Sequence, residues 1–364
     1  MKETILNNFK LLQDMTIPEY TLYRKWNEVN SIKWAPKDLQ RMWEIKKDIW
    51  SPEYPDDYKK LQPRMILADT PDRKQTWRIL RTFTSTMPWN QSVGRLMFFY
   101  VIDSVTKCYL GVISIASDFI SLGGRDSHIG WTFDQRIKKK MLAYTAMGST
   151  IVPTQPLGFN YTGGKLLSLL LCSDDVVNQW NEKYKEPLVG ITTTSLYGGF
   201  SQYTRLKYWK KCGTTEGLIP LEPTDDVYGK VRTWVKEHYP DDFIKMTVNK
   251  DKILSRPKNK MLTFAYTKLN IKPPNNHAPR GVYFCDLYEN TCNLLNMKDT
   301  VIGDKKFDNS FDILVDLWKD RYASKRIKSL LAKDRVSHNT LFYDDLIGMS
   351  WEEAKEKYIK EIGR

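Results

Sequence analysis

The sequence predicts an α+β protein in which a mixed sheet with flanking helices lies between N- and C-terminal helical extensions. Three changes of pattern along the chain indicate this arrangement. Apolar residues recur at helical spacing up to about residue 90, and short β-branched and aromatic runs begin at Leu96. Amphipathic helical patterns return after about Thr224 and continue towards the end. Strands gathered within one part of a helical chain are typical of the α+β class.

Residues 1–90 are predicted to form a helical N-terminal extension. The segment LQRMWEIKKDIW, residues 39–50, carries its apolar residues at helical spacing, and the Pro-rich SPEYPDDY that follows ends the pattern. Tryptophans that recur at near-helical multiples belong to a core more often than to a ligand site. Those in this region are Trp26, Trp34, Trp43 and Trp50.

Residues 91–222 are predicted to form the central unit. LMFFYVID and YLGVISIAS are separated by DSVTKC and predict a hairpin, and SHIGWTF predicts a third strand. The remaining predicted elements are a basic helix at 134–144, a strand at 148–154, a turn at 160–164, helices at 165–172 and 174–184, a strand at 187–195 and a helix at 201–211 that ends at Gly213. Residues 223–364 are predicted to be mainly helical, with one strand, RGVYFCDLY, at 280–288.

The charge of the chain favours nucleic acid, and DNA in particular, as a partner. The 364 residues carry a formal net charge of +13 and give a pI near 9.2, and such a surplus attracts polyanions. Cations and planar rings interleave in RKQTWRILRTF (73–83) and YTRLKYWKK (203–211). An alternative is that the chain is simply Lys-rich. The residues expected to contact nucleic acid are Arg205, Lys207, Trp209, Lys210, Lys138 and Lys139.

Several classes of protein and site are disfavoured by the sequence. The apolar run at 166–172 is too short to span a membrane, and the first residues lack the pattern of a secretory leader. We therefore expect a cytoplasmic protein, in the host cytoplasm if a phage encodes it, with no membrane partner. The five cysteines and four histidines are isolated along the chain, so we expect neither disulfides nor a metal site. Walker and G-x-S-x-G motifs are absent.

Two segments carry a resemblance to known families. One is Asn160…Gly163-Gly164-Lys165-Leu-Leu, and the other is GFSQYTRLKYWKKCG, residues 199–213. Between residues 96 and 217 the chain resembles the core shared by the Mom-type DNA-modification proteins of phages and the DUF4338 family. The latter includes the DruA component of the Druantia defence system.

The resemblance implies a GNAT-like acyltransferase core acting on nucleic acid. Two strands that each deliver a turn and a helix start would form a V-shaped notch, and GNAT enzymes hold the pyrophosphate of acyl-CoA in such a notch. The donor would be acyl-CoA or an amino-acid-derived compound. The loop at residues 155–160 matches the GNAT phosphate loop in part, since Asn160 replaces its last small residue. The residues expected to bind the cofactor are Gly158, Asn160, Gly163, Gly164 and Lys165.

The resemblance also implies catalytic residues. The tyrosine of the Mom-type pattern corresponds to Tyr203, and hydroxyl residues stand where that pattern has a strand-end aspartate. The residues expected to be catalytic are therefore Tyr203, Ser195 and Thr193. A hydroxyl is a weak general base at neutral pH. His128 and Asp126 offer a further acid–base pair.

The sequence therefore supports three hypotheses about function. The first is a phage- or defence-associated transferase that modifies a base amine, as Mom modifies adenine. The second is a non-catalytic nucleic-acid-binding or virion/defence-complex protein that keeps a degenerate GNAT-like fold. The third is an acyltransferase that acts on a small molecule or a protein.

Overall fold

The computed structural model of the protein describes residues 1–85, 94–195, 201–215, 219–247, 257–276, 279–337 and 342–362. Within these ranges the helices are α1 (Lys2–Gln13), α2 (Ile17–Ser31), α3 (Pro36–Lys47), α4 (Pro71–Thr84), α5 (Gly123–Ile129), α6 (Leu157–Asn160), α7 (Gly163–Leu170), α8 (Asp174–Tyr184), α9 (Asp225–His238), α10 (Pro240–Thr247), α11 (Pro257–Leu269), α12 (Thr291–Leu295), α13 (Phe311–Leu317), α14 (Ser324–Leu331) and α15 (Trp351–Ile362). The strands are β1 (Pro63–Leu67), β2 (Leu96–Asp103), β3 (Tyr109–Ser117), β4 (Thr145–Pro153), β5 (Gly190–Thr194), β6 (Lys210–Thr214), β7 (Ile219–Pro220), β8 (Asn275–Asn276) and β9 (Gly281–Asp286).

The large sheet is mixed. In the described part of the chain its seven strands have the order β1-β2-β3-β4-β5-β9-β6. β4 and β5 run parallel, and the other neighbours are antiparallel. The predicted α+β fold with a mixed sheet is thus confirmed. β1 comes from the segment predicted as the N-terminal extension, and β9 comes from the C-terminal region.

The parallel pair at the centre of the sheet separates after three residues. Backbone pairing joins Thr145 to Gly190 and ends with Met147 opposite Thr192, although β4 continues to Pro153. The register of β4 against β3 also shifts, since Gly148 and Thr150 have partners on β3 and Ser149 between them has none. An extra residue of this kind bends a strand and increases its twist. The strands therefore diverge and leave a cleft between them.

The sheet is covered by helices on both faces. Along β2, Met97 and Phe99 face a core with the residues of α7 and α8, whereas Phe98 and Tyr100 face a second core with Trp77 of α4. This alternation follows from the two-residue repeat of side chains in a strand. A smaller core lies under α5 and α12. The sheet is therefore the middle layer of three.

A separate helical cluster is formed by α1, α9, α10 and α11. Its buried side chains include Ile5, Phe9, Val231 and Met261. The β7–β8 pair is adjacent to these helices in the chain and is not part of the large sheet. No helix among the described residues has the length and apolar character needed to cross a membrane.

Two elements between residues 127 and 144 differ from their predicted type. The segment predicted as the third strand, SHIGWTF, instead contributes the end of α5, which stops at Gly130 with a φ of 82°. A left-handed glycine after the last turn is a common helix end. The basic helix predicted at 134–144 is divided into a π-helical segment, Asp134–Lys138, and a 3₁₀ segment, Met141–Tyr144, because Lys140 has a φ of 59°.

The helix predicted at 201–211 is also wrong. This segment forms turns and then enters β6, with φ angles of 56° at Arg205 and 74° at Tyr208. Positive φ is incompatible with a right-handed helix. The Tyr208 ring stacks on Phe307 at 3.7 Å, and the Trp209 indole donates to the Ser168 carbonyl at 3.0 Å. These distant contacts stabilise a conformation that local residue types do not favour.

Candidate ligand-binding cleft

The cleft between the diverging ends of β4 and β5 has a volume of about 290 Å³. Ligands of α/β sheets bind where the carboxyl ends of neighbouring parallel strands separate, which is the situation here. The lining is rich in hydroxyl groups. Its polar side chains are Arg81, Ser85, Ser149, Thr150, Thr193, Thr194, Ser195, Ser201, Gln202 and Tyr203. The cleft can therefore offer many hydrogen bonds to a small polar ligand.

Where β4 and β5 separate, side chains donate hydrogen bonds to β4 carbonyl groups that no longer pair with the β5 backbone. The Thr193 hydroxyl donates to the Gly148 carbonyl at 2.9 Å. The Gln202 amide reaches the Ile151 carbonyl at 3.4 Å. Backbone acceptors without a partner are costly when buried, so these contacts stabilise the open end of the sheet.

Tyr203 is buried at the inner wall of the cleft. Its hydroxyl lies 3.3 Å from the Thr193 hydroxyl and accepts from the Gln202 amide at 3.0 Å. Its ring packs between Trp209, at a centroid distance of 5.5 Å, and Tyr283, at 5.0 Å. Burial raises the pKa of the phenol. At neutral pH Tyr203 is therefore a neutral donor or acceptor of hydrogen bonds and not a phenolate base.

Hydrogen bonds of the Ser195 and Ser201 hydroxyls fix the chain on the far side of the cleft. The Ser195 hydroxyl accepts from the Gly281 backbone N–H at 2.7 Å, and the Ser195 N–H donates to the Gly281 carbonyl at 2.8 Å. The Ser201 and Tyr283 hydroxyls are 3.1 Å apart. Ser195 is 1% exposed. Its placement indicates a structural junction between β5 and β9.

Arg81 brings positive charge to the cleft. Its guanidinium pairs with Glu28 at 2.9 Å, and the same carboxylate accepts from Lys25 at 2.6 Å. Lys25 also donates to the Thr82 carbonyl. Two cations share one carboxylate in this buried group, so it carries a net positive charge. Sequence patterns do not identify Arg81 as a cleft residue, because an arginine in an amphipathic helix is ordinarily assigned to the solvated face.

The chemistry of the lining favours binding over proton transfer. No Asp, Glu or His is among the described residues that line the cleft. Asp118, which follows the last residue of β3, accepts from Thr192 at 2.7 Å and pairs with Arg125 at 2.6 Å, and neither ion of that pair is exposed. The residues present can orient a ligand and stabilise negative charge. They do not include an evident general base.

The predicted cofactor residues lie beside the cleft, at the start of α7. Gly163 and Gly164 are buried, and a Cβ on Gly164 would meet the Gln202 side chain at 2.1 Å. Lys165 donates to the carbonyls of Gln202 and Thr204 at 2.9 and 2.7 Å. Burial lowers the pKa of Lys165 to about 8. Lys165 thus holds the 201–205 turn against α7, and Gly163 permits close packing on α6, since a Cβ there would meet the Leu157 carbonyl oxygen at 2.9 Å.

The other predicted cofactor residues belong to α6. A Cβ on Gly158 would meet the Pro153 ring at 2.5 Å, so this glycine permits close packing of α6 on the end of β4. Asn160 is the last residue of α6, and its side chain lies outside the described part of the structure. Since 201–211 is not a helix, the second helix start expected in the notch is absent from the described residues.

The predicted nucleic-acid residues divide into exposed cations and buried rings. Arg205, Lys207 and Lys210 are exposed, and so is Lys211. Trp209 is 6% exposed, so its face is not available for a base to stack on. In the other predicted segment Trp77 and Phe83 are buried as well. The interleaved aromatics thus belong to the cores, and the cations other than the buried Arg81 face solvent.

The other residues predicted to contact nucleic acid, and the predicted acid–base pair, lie within α5 or follow it in the chain. Lys138 is exposed and pairs with Asp134 at 3.0 Å, and Lys139 is exposed beside it. The predicted acid–base partners do not pair with each other, since Arg125 and Arg136 both hold the Asp126 carboxylate. His128 lies against Asp286 instead.

Ser149 and Thr150 were missed by the sequence argument along with Arg81. A signal was present, because two hydroxyl residues follow a glycine within an otherwise apolar strand. Such a sequence is compatible with a bulge. Their place in the cleft depends on the separation of β4 from β5, which sequence patterns do not encode.

Comparison with known families gives one match to a family model and one to a curated protein. The family model described as Druantia protein DruA matches residues 19–296. That range includes every strand of the large sheet and the whole lining of the cleft.

A curated protein of Escherichia coli (strain UMEA 4076-1), described as Druantia protein DruA, is 27% identical over 175 residues. The match covers 43% of this chain and 43% of that protein, so less than half of the curated relative is spanned. No solved structure matches the chain.

Proposed function

We propose that this chain, which belongs to the Druantia protein DruA family, is a nucleic-acid-binding component of a phage-defence system. The observation that carries the binding proposal is the continuity between the hydroxyl-lined cleft and a strip of exposed cations. The chain leaves the cleft at Tyr203 and reaches the edge strand β6 at Lys210. A polyanion lying along this strip would bring one of its nucleotides to the mouth of the cleft.

The strip is suited to phosphate contacts. Arg205, Lys207, Lys210 and Lys211 are exposed and have no ion pair with any residue in the described part of the chain. Lysines on an edge strand also prevent pairing of that edge with another sheet. That role explains the charge on β6 itself. It does not explain Arg205 and Lys207, which precede the strand. Their exposed charge therefore supports a polyanion as the partner.

The cleft is suited to a small polar group at the end of this strip. Hydroxyl and amide groups line it, and Arg81 adds positive charge. With a volume of about 290 Å³ it lies at the small end of the range for ligand pockets. An unstacked nucleotide combines an anionic phosphate with polar base edges, so we propose that single-stranded nucleic acid is the preferred form.

The binding proposal is tested by the salt dependence of affinity. Fluorescence anisotropy would be measured with labelled single-stranded DNA, duplex DNA and single-stranded RNA across a range of salt concentrations. Replacing Lys210 and Lys211 together by alanine should weaken binding and reduce the salt slope by about 2, since each phosphate contact contributes about 1.

The matched control is the pair Lys59→Ala and Lys60→Ala, which removes the same charge just before β1 at the opposite edge of the sheet. These lysines are already paired with Asp56 and Asp57. The control should keep the wild-type slope. Equal slopes for both variants, or no binding by the wild type at low salt, would overturn the proposal.

A second candidate is the base-modifying transferase with a GNAT-like core. It is supported by the parallel β4–β5 pair, which separates at its carboxyl end as an acyl-CoA notch requires, and by Tyr203 at the wall of the resulting cleft. The lack of an acid in the described lining counts against it. Digestion and mass spectrometry of DNA from cells that express the protein distinguish the two. A modified nucleoside that disappears with Tyr203→Phe would favour the transferase.

A further inference from the structure

A second group of chemically active side chains lies on the face of the sheet opposite Tyr203. It consists of His128 from α5, Asp286 from the end of β9 and Cys292 from α12. One potential ligand atom of each residue lies within 4.8 Å of those of the other two. Asp286 and Cys292 are six residues apart, whereas His128 is distant in sequence and is brought to them by α5.

The spacing of these atoms suits a small metal ion. His128 Nε2 lies 3.9 Å from Asp286 Oδ2, and Cys292 Sγ lies 3.6 Å from Asp286 Oδ1. Bonds of 2.0–2.3 Å in a tetrahedral site place ligand atoms about 3.3–3.8 Å from one another. The two observed distances, which run to different oxygens of Asp286, fall within or close to this range, and the shorter one is a hydrogen bond from the Cys292 thiol that an ion would replace. By contrast, 3.9 Å is too long for a hydrogen bond between imidazole and carboxylate.

His128 Nε2 has no hydrogen-bond partner among the described residues, although this atom is buried. The ring is held edge-to-face against Phe284 at a centroid distance of 5.7 Å, so its orientation is fixed by packing. A buried ring nitrogen without a partner is uncommon, because such atoms are costly to remove from water. A metal ion between the three side chains would satisfy it.

Two neighbours bear on this site. Lys306 donates to Asp286 Oδ2 at 3.0 Å, but its side chain is 42% exposed and can turn into solvent when a cation binds. Cys212, on the adjacent strand β6, packs against the same small core as Cys292. The competing cation can therefore leave the site, and Cys212 lies outside the group of three potential ligands.

We propose that His128, Asp286 and Cys292 bind one transition-metal ion, with Zn²⁺ as the favoured species. A donor set of one nitrogen, one sulfur and one oxygen suits zinc, whereas Mg²⁺ and Ca²⁺ take oxygen ligands. The fourth position is left for water. The ion would join α5, β9 and α12 across one face of the sheet. The site is separate from the cleft, and the proposal does not depend on nucleic-acid binding.

The test uses Co²⁺ as a spectroscopic substitute for Zn²⁺. The full chain would be treated with a chelator, dialysed and titrated with Co²⁺. One equivalent should produce visible ligand-field bands and a near-ultraviolet thiolate-to-cobalt band, and Zn²⁺ should displace both. The thermal midpoint should rise with added Zn²⁺, because an ion that binds the folded state stabilises it. Absence of the bands in the folded wild type would overturn the proposal.

Variants assign the ligands. Cys292→Ser should abolish the thiolate band, and His128→Gln and Asp286→Asn should each weaken Zn²⁺ binding at least about tenfold. Cys108→Ser is the matched control, since this half-buried thiol precedes β3 and is not in the group. Retention of the band in Cys292→Ser, or its loss in the control, would contradict the assignment. If circular dichroism shows that Cys292→Ser does not fold, the zinc affinity of Asp286→Asn is the test of the site. An affinity equal to that of the wild type would contradict the proposal.

Discussion

The hydroxyl of Tyr203 lies 3.3 Å from the hydroxyl of Thr193, at the point where β4 and β5 separate. Thr193 donates at the same time to the Gly148 carbonyl, which has lost its partner on β5. The tyrosine and threonine thus belong to one hydrogen-bonded group that stabilises the open end of the sheet. Tyr203, which the sequence predicts as a catalytic residue, thus has an evident structural role.

The variant Tyr203→Phe measures that role. It keeps the ring between Trp209 and Tyr283 but removes the hydroxyl that contacts Thr193 and Gln202. The free energy of unfolding in urea should fall by about 1 kcal/mol, as for the loss of a buried hydrogen bond. Tyr54→Phe, at a tyrosine that is 65% exposed, should leave it unchanged. An unfolding free energy equal to that of the wild type would contradict the structural role.

A larger side chain within the cleft should weaken binding without changing its electrostatic part. Thr194 is half-buried at the end of β5 and lines the cleft. Thr194→Met should weaken binding of a single-stranded oligonucleotide roughly tenfold, equivalent to about 1.4 kcal/mol. The salt slope should stay the same, because no charge is altered. Thr263→Met, at an exposed position of α11, is the control and should bind as the wild type does. Undiminished binding by Thr194→Met would exclude the cleft as the binding site.

The buried ions around α5 should be important for stability. Asp118 pairs with Arg125 at 2.6 Å, and both side chains are inaccessible to solvent. Asp118→Asn leaves the arginine with one carboxylate partner and should lower the free energy of unfolding by about 3–5 kcal/mol. Asp134→Asn removes the same charge from the exposed pair with Lys138. It should lower the free energy of unfolding by less than about 1 kcal/mol. If urea denaturation gives the same loss of unfolding free energy for both variants, the buried pair is not important for stability.

The buried lysine beside Arg81 predicts a pH dependence. Burial lowers the pKa of Lys25 from 10.5 to about 8. Between these values the unfolded chain binds more protons than the folded one, so this residue makes stability rise with pH in that window. The unfolding free energy of the wild type minus that of Lys25→Met should increase by about 2 kcal/mol from pH 8 to pH 10.

The comparison with Lys25→Met is necessary because other groups oppose this trend. Burial raises the pKa of Cys292 to about 11 and of Cys212 to about 12, and these thiols favour the unfolded chain as the pH rises above their ordinary value. Their contribution is common to both proteins and cancels in the difference. A difference that stays constant across the window would show that Lys25 is not desolvated as described.

Much of the fold could be predicted because the residue patterns that favour its strands and helices are local in the sequence. β2, β3, β4, β5 and β9 are runs of β-branched and aromatic residues bounded by turn residues, and each was expected close to its observed position. Helix α8 begins with two aspartates that complement the helix dipole, and it too was expected.

The rest could not be predicted because distant contacts decide it. The 201–211 segment has the residue types of a helix, but Tyr208 stacks on Phe307 nearly one hundred positions away, and the helix does not form. The cleft depends on the early separation of β4 from β5, and Arg81 reaches it from α4. His128 likewise reaches Asp286 and Cys292 only through the tertiary fold, so the spacing of residues along the chain does not predict this group.

The most direct test of the account is hydrogen–deuterium exchange of the full chain with and without a single-stranded DNA oligonucleotide. We predict slower exchange of backbone amides in residues 201–214, which connect the cleft to β6, and unchanged exchange in α9, α10 and α11 of the separate helical cluster. Unchanged exchange in residues 201–214 while the oligonucleotide is bound, or slowing confined to the helical cluster, would contradict the claim that the cleft and the cation strip form the nucleic-acid site.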